Sequence, residues 1–148
     1  MRTIFIAMLA LAACSGAAQS QTRYDLYVFA PRGGGSEIYV FASGDAVAAV
    51  EVRGCGDVQV LPDARAVAAD MNARRHADEV SVVTVSARGS RVDLGSCPPG
   101  EAGDEPSERD SLVVVENATA AQMRRMIESL DAAPEDVRSQ INATLGLG

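Results

Sequence analysis

The sequence predicts an α+β fold: a mostly antiparallel sheet of six or seven strands, one mid-chain helix and a C-terminal helical hairpin. Three observations predict it. Short β-branched and aromatic runs separated by glycine-rich turns fill the first half of the chain. Between Asp63 and Arg75 one stretch with apolar residues at helical spacing interrupts them. From Thr119 onward two capped, amphipathic helices follow one another.

Tyr24–Phe29 reads Tyr-Asp-Leu-Tyr-Val-Phe, and Ser36–Ala42 repeats that character after Pro31-Arg32-Gly33-Gly34-Gly35, so the two form a β-hairpin with a glycine-rich loop. Val47–Val52 and Val58–Leu61 follow as short apolar strands, punctuated by Gly44-Asp45 and by Gly54-Cys55-Gly56-Asp57. Asp63 then caps a helix running to Arg75. Its apolar face is Ala64, Val67, Ala68 and Met71, at i, i+3, i+4 and i+7. Arg74, Arg75 and His76 close the last turn, where positive charge complements the unpaired carbonyls. Such an alanine-rich face packs close to a sheet.

Val80–Ala87 is a strand dense in Val and Thr, and Arg91–Leu94 is expected to pair with it across Gly89-Ser90 as a hairpin that ends at Cys97. Pro98–Asp110 holds three prolines, two glycines and five acidic residues, which is too little apolar surface for anything but a solvated loop. Ser111–Glu116 returns to strand, and Leu112-Val113-Val114-Val115, apolar on both faces, predicts an inner position. Thr119-Ala120-Ala121-Gln122 is a capping box, after which Met123, Met126, Ile127 and Leu130 line one helical face. Pro134 opens the last helix as its first residue, Val137, Ile141 and Leu145 form its apolar stripe, and Gly146 stops it with Leu147 behind. The two helices form a hairpin whose apolar faces cover the sheet.

The N-terminus predicts an address. Met1-Arg2-Thr3 precedes an unbroken apolar run from Ile4 to Ala13, and then come Cys14-Ser15-Gly16, the order of a secretory signal. Ten apolar residues are too few to span a bilayer, which takes roughly 20. Leu11-Ala12-Ala13-Cys14 resembles the lipobox of bacterial lipoproteins. That resemblance implies acylation of the Cys14 thiol, cleavage just before it, and two or more acyl chains holding the protein at its membrane. Ser15 rather than Asp after the cysteine implies, by the same resemblance, the outer membrane. The competing expectation is ordinary cleavage after Gly16-Ala17-Ala18, releasing a soluble periplasmic protein. The expected organisation is a signal peptide over 1–13, lipidated Cys14 and a small polar tether over 14–23, and a single domain over 24–148.

Three cysteines leave one odd, and lipidation of Cys14 accounts for it. Cys55 and Cys97, 42 positions apart, are then expected to pair in an oxidising periplasm. Such a loop closure stabilises a fold by about 4 kcal/mol. The chain has 13 Arg, no Lys and 20 Asp plus Glu, a net charge of −7. That surface repels phosphate backbones, so no nucleic-acid partner is expected. The missing lysine excludes a P-loop, a Schiff base and a Ser-Lys dyad together.

Few residues suggest chemistry. His76 is the only histidine, and its place in a helix C-terminal turn accounts for it without catalysis. Arg74 and Arg75 could bind an anion, but the macrodipole favours them there anyway. The three glycines at 33–35 join strand to strand rather than strand to helix, which argues against a phosphate cradle. The acidic residues Glu101, Asp104, Glu105, Glu108 and Asp110 lack the spacing of a calcium loop. No G-x-S-x-G, H-E-x-x-H or C-x-x-C occurs, and no metal or cofactor is expected. The expectation is a non-enzymatic binding or assembly module facing the periplasm, held to its membrane by lipid and engaging an envelope protein. Two alternatives stand beside it: a small hydrolase using carboxylates such as Asp45, Asp57 or Asp63, and an inhibitor offering the acidic 98–110 loop.

Overall fold

Period-two patterning along the first apolar runs folds them into consecutive antiparallel strands. The computed structural model describes residues 22–54, 57–88, 94 and 108–147. In it β1 is Tyr24–Ala30, β2 Glu37–Ser43, β3 Ala46–Gly54 and β4 Asp57–Val60. β5 (Val80–Ser86) and β6 (Asp110–Ala118) complete a six-stranded sheet in the order β4-β3-β2-β1-β6-β5. Every neighbouring pair is antiparallel except β5 with β6, which is parallel.

Among the described residues three helices cover the sheet: α1 (Ala64–Arg75) on one face, α2 (Ala120–Glu128) and α3 (Glu135–Thr144) on the other. The strands sort their side chains accordingly. On β1, Leu26 and Val28 face α2 and α3, while Tyr27 and Phe29 face α1. β6 is apolar on both faces because it is covered on both: Val113 and Val115 join the core under α2 and α3, Leu112 and Val114 the core under α1. The two cores are unequal. Under α2 and α3 lie Phe41, Met123, Ile127, Leu130 and Ile141, all at most 1% exposed. On α1 the single buried residue is Met71, with Ala64, Val67 and Ala68 only half-covered.

The caps follow the sequence closely. Asp63 Oδ1 accepts from the Ala66 N–H at 3.3 Å. Thr119 Oγ1 accepts from the Gln122 N–H at 3.2 Å while Gln122 Oε1 accepts from the Thr119 N–H at 2.9 Å, a reciprocal capping box. α3 ends in a Schellman motif: the Leu147 N–H donates to Asn142 O at 2.8 Å and the Gly146 N–H to Ala143 O at 3.2 Å, with Gly146 at φ +71°. Pro134, expected as the first helical residue, is instead the N-cap, because its ψ of 156° is extended and the helix begins at Glu135.

One pairing was not expected. Among the described residues the ladder partner of β5 is β6, in parallel. Leu94 lies outside any strand, 6% exposed in the core under α2, and its N–H donates to Ser129 Oγ at 2.8 Å. Arg91–Asp93 fall outside the described residues. Parallel neighbours cannot be joined by a two-residue turn, so the start of β6 at Asp110 lies far along the chain from the end of β5 at Ser86. Leu94 packs on the face of the sheet that carries α2.

Candidate functional site

The residues singled out in the sequence are dispersed. Cys14, Cys55 and Cys97 lie outside the described residues, as do the signal segment, most of the tether and most of the acidic loop. His76 is the exposed C-cap of α1, its backbone N–H donating to Ala73 O at 3.2 Å. The glycines at 33–35 have φ of +89°, +72° and +95°, which is what a loop between two strands asks of them. Asp45 precedes β3 and Asp57 opens β4 opposite Gly54, so the length of β3 separates them, about 26 Å at the usual rise per residue. The Asp63 carboxylate is engaged in its cap. The hydrolase expectation needed two of these three close together, and Asp45 with Asp57 is not such a pair.

Two polar clusters form that the sequence did not announce, one at each end of the sheet. The first is built around a β-bulge. Tyr24 pairs with Ala118 and Leu26 with Val115, so β6 carries one extra residue, and Asn117 takes the left-handed conformation at φ +62°. Asp25 Oδ1 accepts from the Asn117 N–H at 3.0 Å, and Arg23 Nη1 donates to Asn117 Oδ1 at 3.1 Å. Arg75 Nη2 donates to Glu116 Oε1 at 2.6 Å, fastening the end of α1 to the bulged strand. Tyr27 lies among these groups. Burial raises its phenol above the ordinary value and the Asp25 carboxylate raises it further, against the lowering influence of Arg75. The Arg75 guanidinium is itself held more firmly charged, chiefly by its bond to Glu116.

The neighbouring arginine reaches the other way. Arg74 stacks over Phe29, 4.6 Å from the ring centroid, bonds Asp70 at 3.0 Å and pairs with Asp110 at 3.6 Å. Adjacent arginines on α1 thus grip opposite ends of β6. This divergence removes the joint anion site that their sequence adjacency suggested.

Asp110 also closes the second cluster. Its Oδ1 accepts from the Arg32 N–H at 2.6 Å, and Arg109 donates to the backbone carbonyls of Asp78 and Glu79. Arg32, Asp78, Glu79, Glu108, Arg109 and Asp110 line an open polar cleft of about 610 Å³. Four of these residues are acidic and two are arginines. The cleft sits where β1 ends and β5 and β6 begin, at the end of the sheet opposite the start of β1. A smaller apolar recess of about 210 Å³ lies beside β3 and β4, walled by Val47, Val60, Leu61, Ala64 and Ile141.

Among the described residues no group of three His, Cys, Asp or Glu side chains is placed to hold a metal, and no helix is long and apolar enough to cross a membrane. Comparisons with protein-family models, with curated proteins and with solved structures gave no match.

Proposed function

We propose that this chain is a cell-envelope lipoprotein whose α+β domain serves as a binding or assembly module at the periplasmic side of the outer membrane. The observation that carries the proposal is Leu11-Ala12-Ala13-Cys14 closing a ten-residue apolar run behind Arg2. A single acyl chain holds a protein only marginally, whereas the two or more that such a cysteine receives make a stable anchor. Residues 15–22 are small and polar, and extended they reach at most about 30 Å, which keeps the domain near its membrane.

The domain's geometry supports recognition over chemistry. The hydrogen bonds around Tyr27 join α1 to β6 through Arg75 and Glu116, and β1 to the bulge through Asp25 and Asn117. The cleft between Arg32, Asp78 and Glu108 lies at the far end of the sheet from the tether, and its carboxylate excess suits a basic or mixed-charge protein surface. The test is Cys14→Ser in cells fed a labelled fatty acid. The unsubstituted chain incorporates label and sediments with membranes, and the variant does neither. A variant that stays labelled and membrane-bound refutes the anchor.

A further inference from the structure

We propose that the tether end of the domain is a docking face for anionic phospholipid headgroups, so that the strands stand on the membrane and the polar cleft points away from it. The proposal rests on the lipid anchor and goes beyond it by naming the surface that meets the bilayer.

The placement of charge along the strands carries it. At the end of the sheet where β1 starts, Arg23 precedes β1 and Arg88 follows Ala87, whose N–H donates to Glu116 O at 2.9 Å. Arg75 reaches Glu116 there, Arg65 donates to Asp45 O beside the start of β3, and Arg124 lies in the second turn of α2, the helix that leaves the bulge. Against these five arginines stand Asp25, Asp45 and Glu116. At the other end Glu37 and Asp57 open β2 and β4 and join the four acidic residues of the cleft, against Arg32, Arg53 and Arg109. Among the described residues the tether end is therefore net positive and the cleft end net negative, although the whole chain carries −7.

The bonding sharpens the contrast. Glu116 is bonded to Arg75, and Asp25 accepts from the Asn117 N–H, so both carboxylates are engaged. Arg23, Arg88 and Arg124 are exposed. Arg23 donates to Asn117 Oδ1 and Arg124 to Leu147 O, neutral acceptors that leave the positive charge uncancelled. After Arg88 the chain is next described at Leu94, on the Ser129 C-cap where α2 ends, and then at Glu108 by the cleft, both away from the bulge.

Two observations name lipid as the occupant. The tether of 15–22 enters at Arg23, so this is the end that an anchored Cys14 holds within about 30 Å of the bilayer. Anionic headgroups complement arginine, each arginine near such a surface contributing roughly a fivefold preference. The same surface repels the acidic end, so both ends favour one orientation. β6, nine residues long, then lifts the cleft roughly 30 Å above the headgroups, where a protein partner can reach it.

The chain has no tryptophan, so a single introduced tryptophan reports only its own surroundings. The lipidated full-length mature chain is reconstituted in vesicles of phosphatidylcholine, alone or with phosphatidylglycerol, both containing a headgroup-spin-labelled lipid as quencher. One reporter is Ala121→Trp, exposed in the first turn of α2 at the tether end; the other is Ala77→Trp, exposed beside Asp78 of the cleft. In anionic vesicles Ala121→Trp should be quenched more than Ala77→Trp, by about twofold or more. That difference should shrink in neutral vesicles, in ~1 M salt, where the screening length falls to about 3 Å, and with Arg23→Ser and Arg88→Ser combined. Both arginines are exposed, so the double variant should keep its thermal midpoint. Equal quenching of the two reporters in anionic vesicles, or a difference unchanged by salt or by the arginine substitutions, overturns the proposal and leaves the anchor standing. Sedimentation with neutral vesicles reads the anchor alone, and a chain that does not sediment there refutes the anchor and the proposal together.

Discussion

Truncating Met71 to alanine tests the two-core architecture most sharply. Met71 is 1% exposed and is the one residue of α1 that is buried outright, seated against Phe29, Val40, Ala49, Leu112 and Val114. Buried Met→Ala changes cost about 2–5 kcal/mol, depending on how far the site collapses. α1 is half-covered elsewhere, so it can settle partway into the space, which puts the cost at about 3 kcal/mol. At ~2.1 cal/mol/K of unfolding entropy per residue, a domain of about 125 residues loses roughly 10 °C in Tm for that amount. Thermal and urea unfolding read the global cost. Amide exchange reads where it falls: the α1 amides should lose more protection than those of α2, because α2 buries Met123, Met126 and Ile127 where α1 buries Met71 alone. A loss below about 1 kcal/mol, or exchange that rises equally in α1 and α2, would refute the claim that this one side chain anchors the helix.

Two further outcomes follow from the site geometry. Tyr39 is buried and donates its hydroxyl to Glu37 Oε2 at 2.6 Å, and burial first, then the Glu37 bond and charge, push its phenol well above the ordinary tyrosine range. A raised folded-state value stabilises the fold below the unfolded tyrosine value of about 10 and loses that contribution as pH climbs toward the folded value. Stability should therefore fall above pH ~10, and Tyr39→Phe should flatten that fall in denaturation curves taken across the alkaline range; an unchanged slope contradicts it. Asn117 sits at φ +62°, so Asn117→Val should cost about 1–2 kcal/mol while Asn117→Gly stays near neutral by urea unfolding. Equal costs for the two would rule out backbone conformation as the cause.

Local chemistry made most elements legible. Thr119 and Gln122 announced the start of α2, Asp63 that of α1, and Gly146 the end of α3, since each satisfies backbone groups within a few residues of itself. The doubly apolar run at Leu112–Val115 likewise placed β6 inside the sheet. Pairing between distant segments was not legible. β5 pairs in parallel with a strand that starts at Asp110, and that choice depends on competition across the whole sheet. Missing the parallel pair meant missing what it assembles: the cleft, which needs the Arg32 loop, the Asp78-Glu79 turn and the start of β6 at one end. The bulge was hidden for a similar reason. Asn117 and Asp25 are 92 positions apart, and nothing in Glu116-Asn117-Ala118 alone marks an extra residue.

The central claim is the lipid anchor, and intact-mass measurement of the mature chain purified from its own envelope tests it most directly. A chain beginning at Cys14, heavier than its polypeptide by a diacylglyceryl group and an amide-linked acyl chain, is the predicted result. An unmodified chain beginning at Gln19, recovered from the soluble fraction, contradicts it.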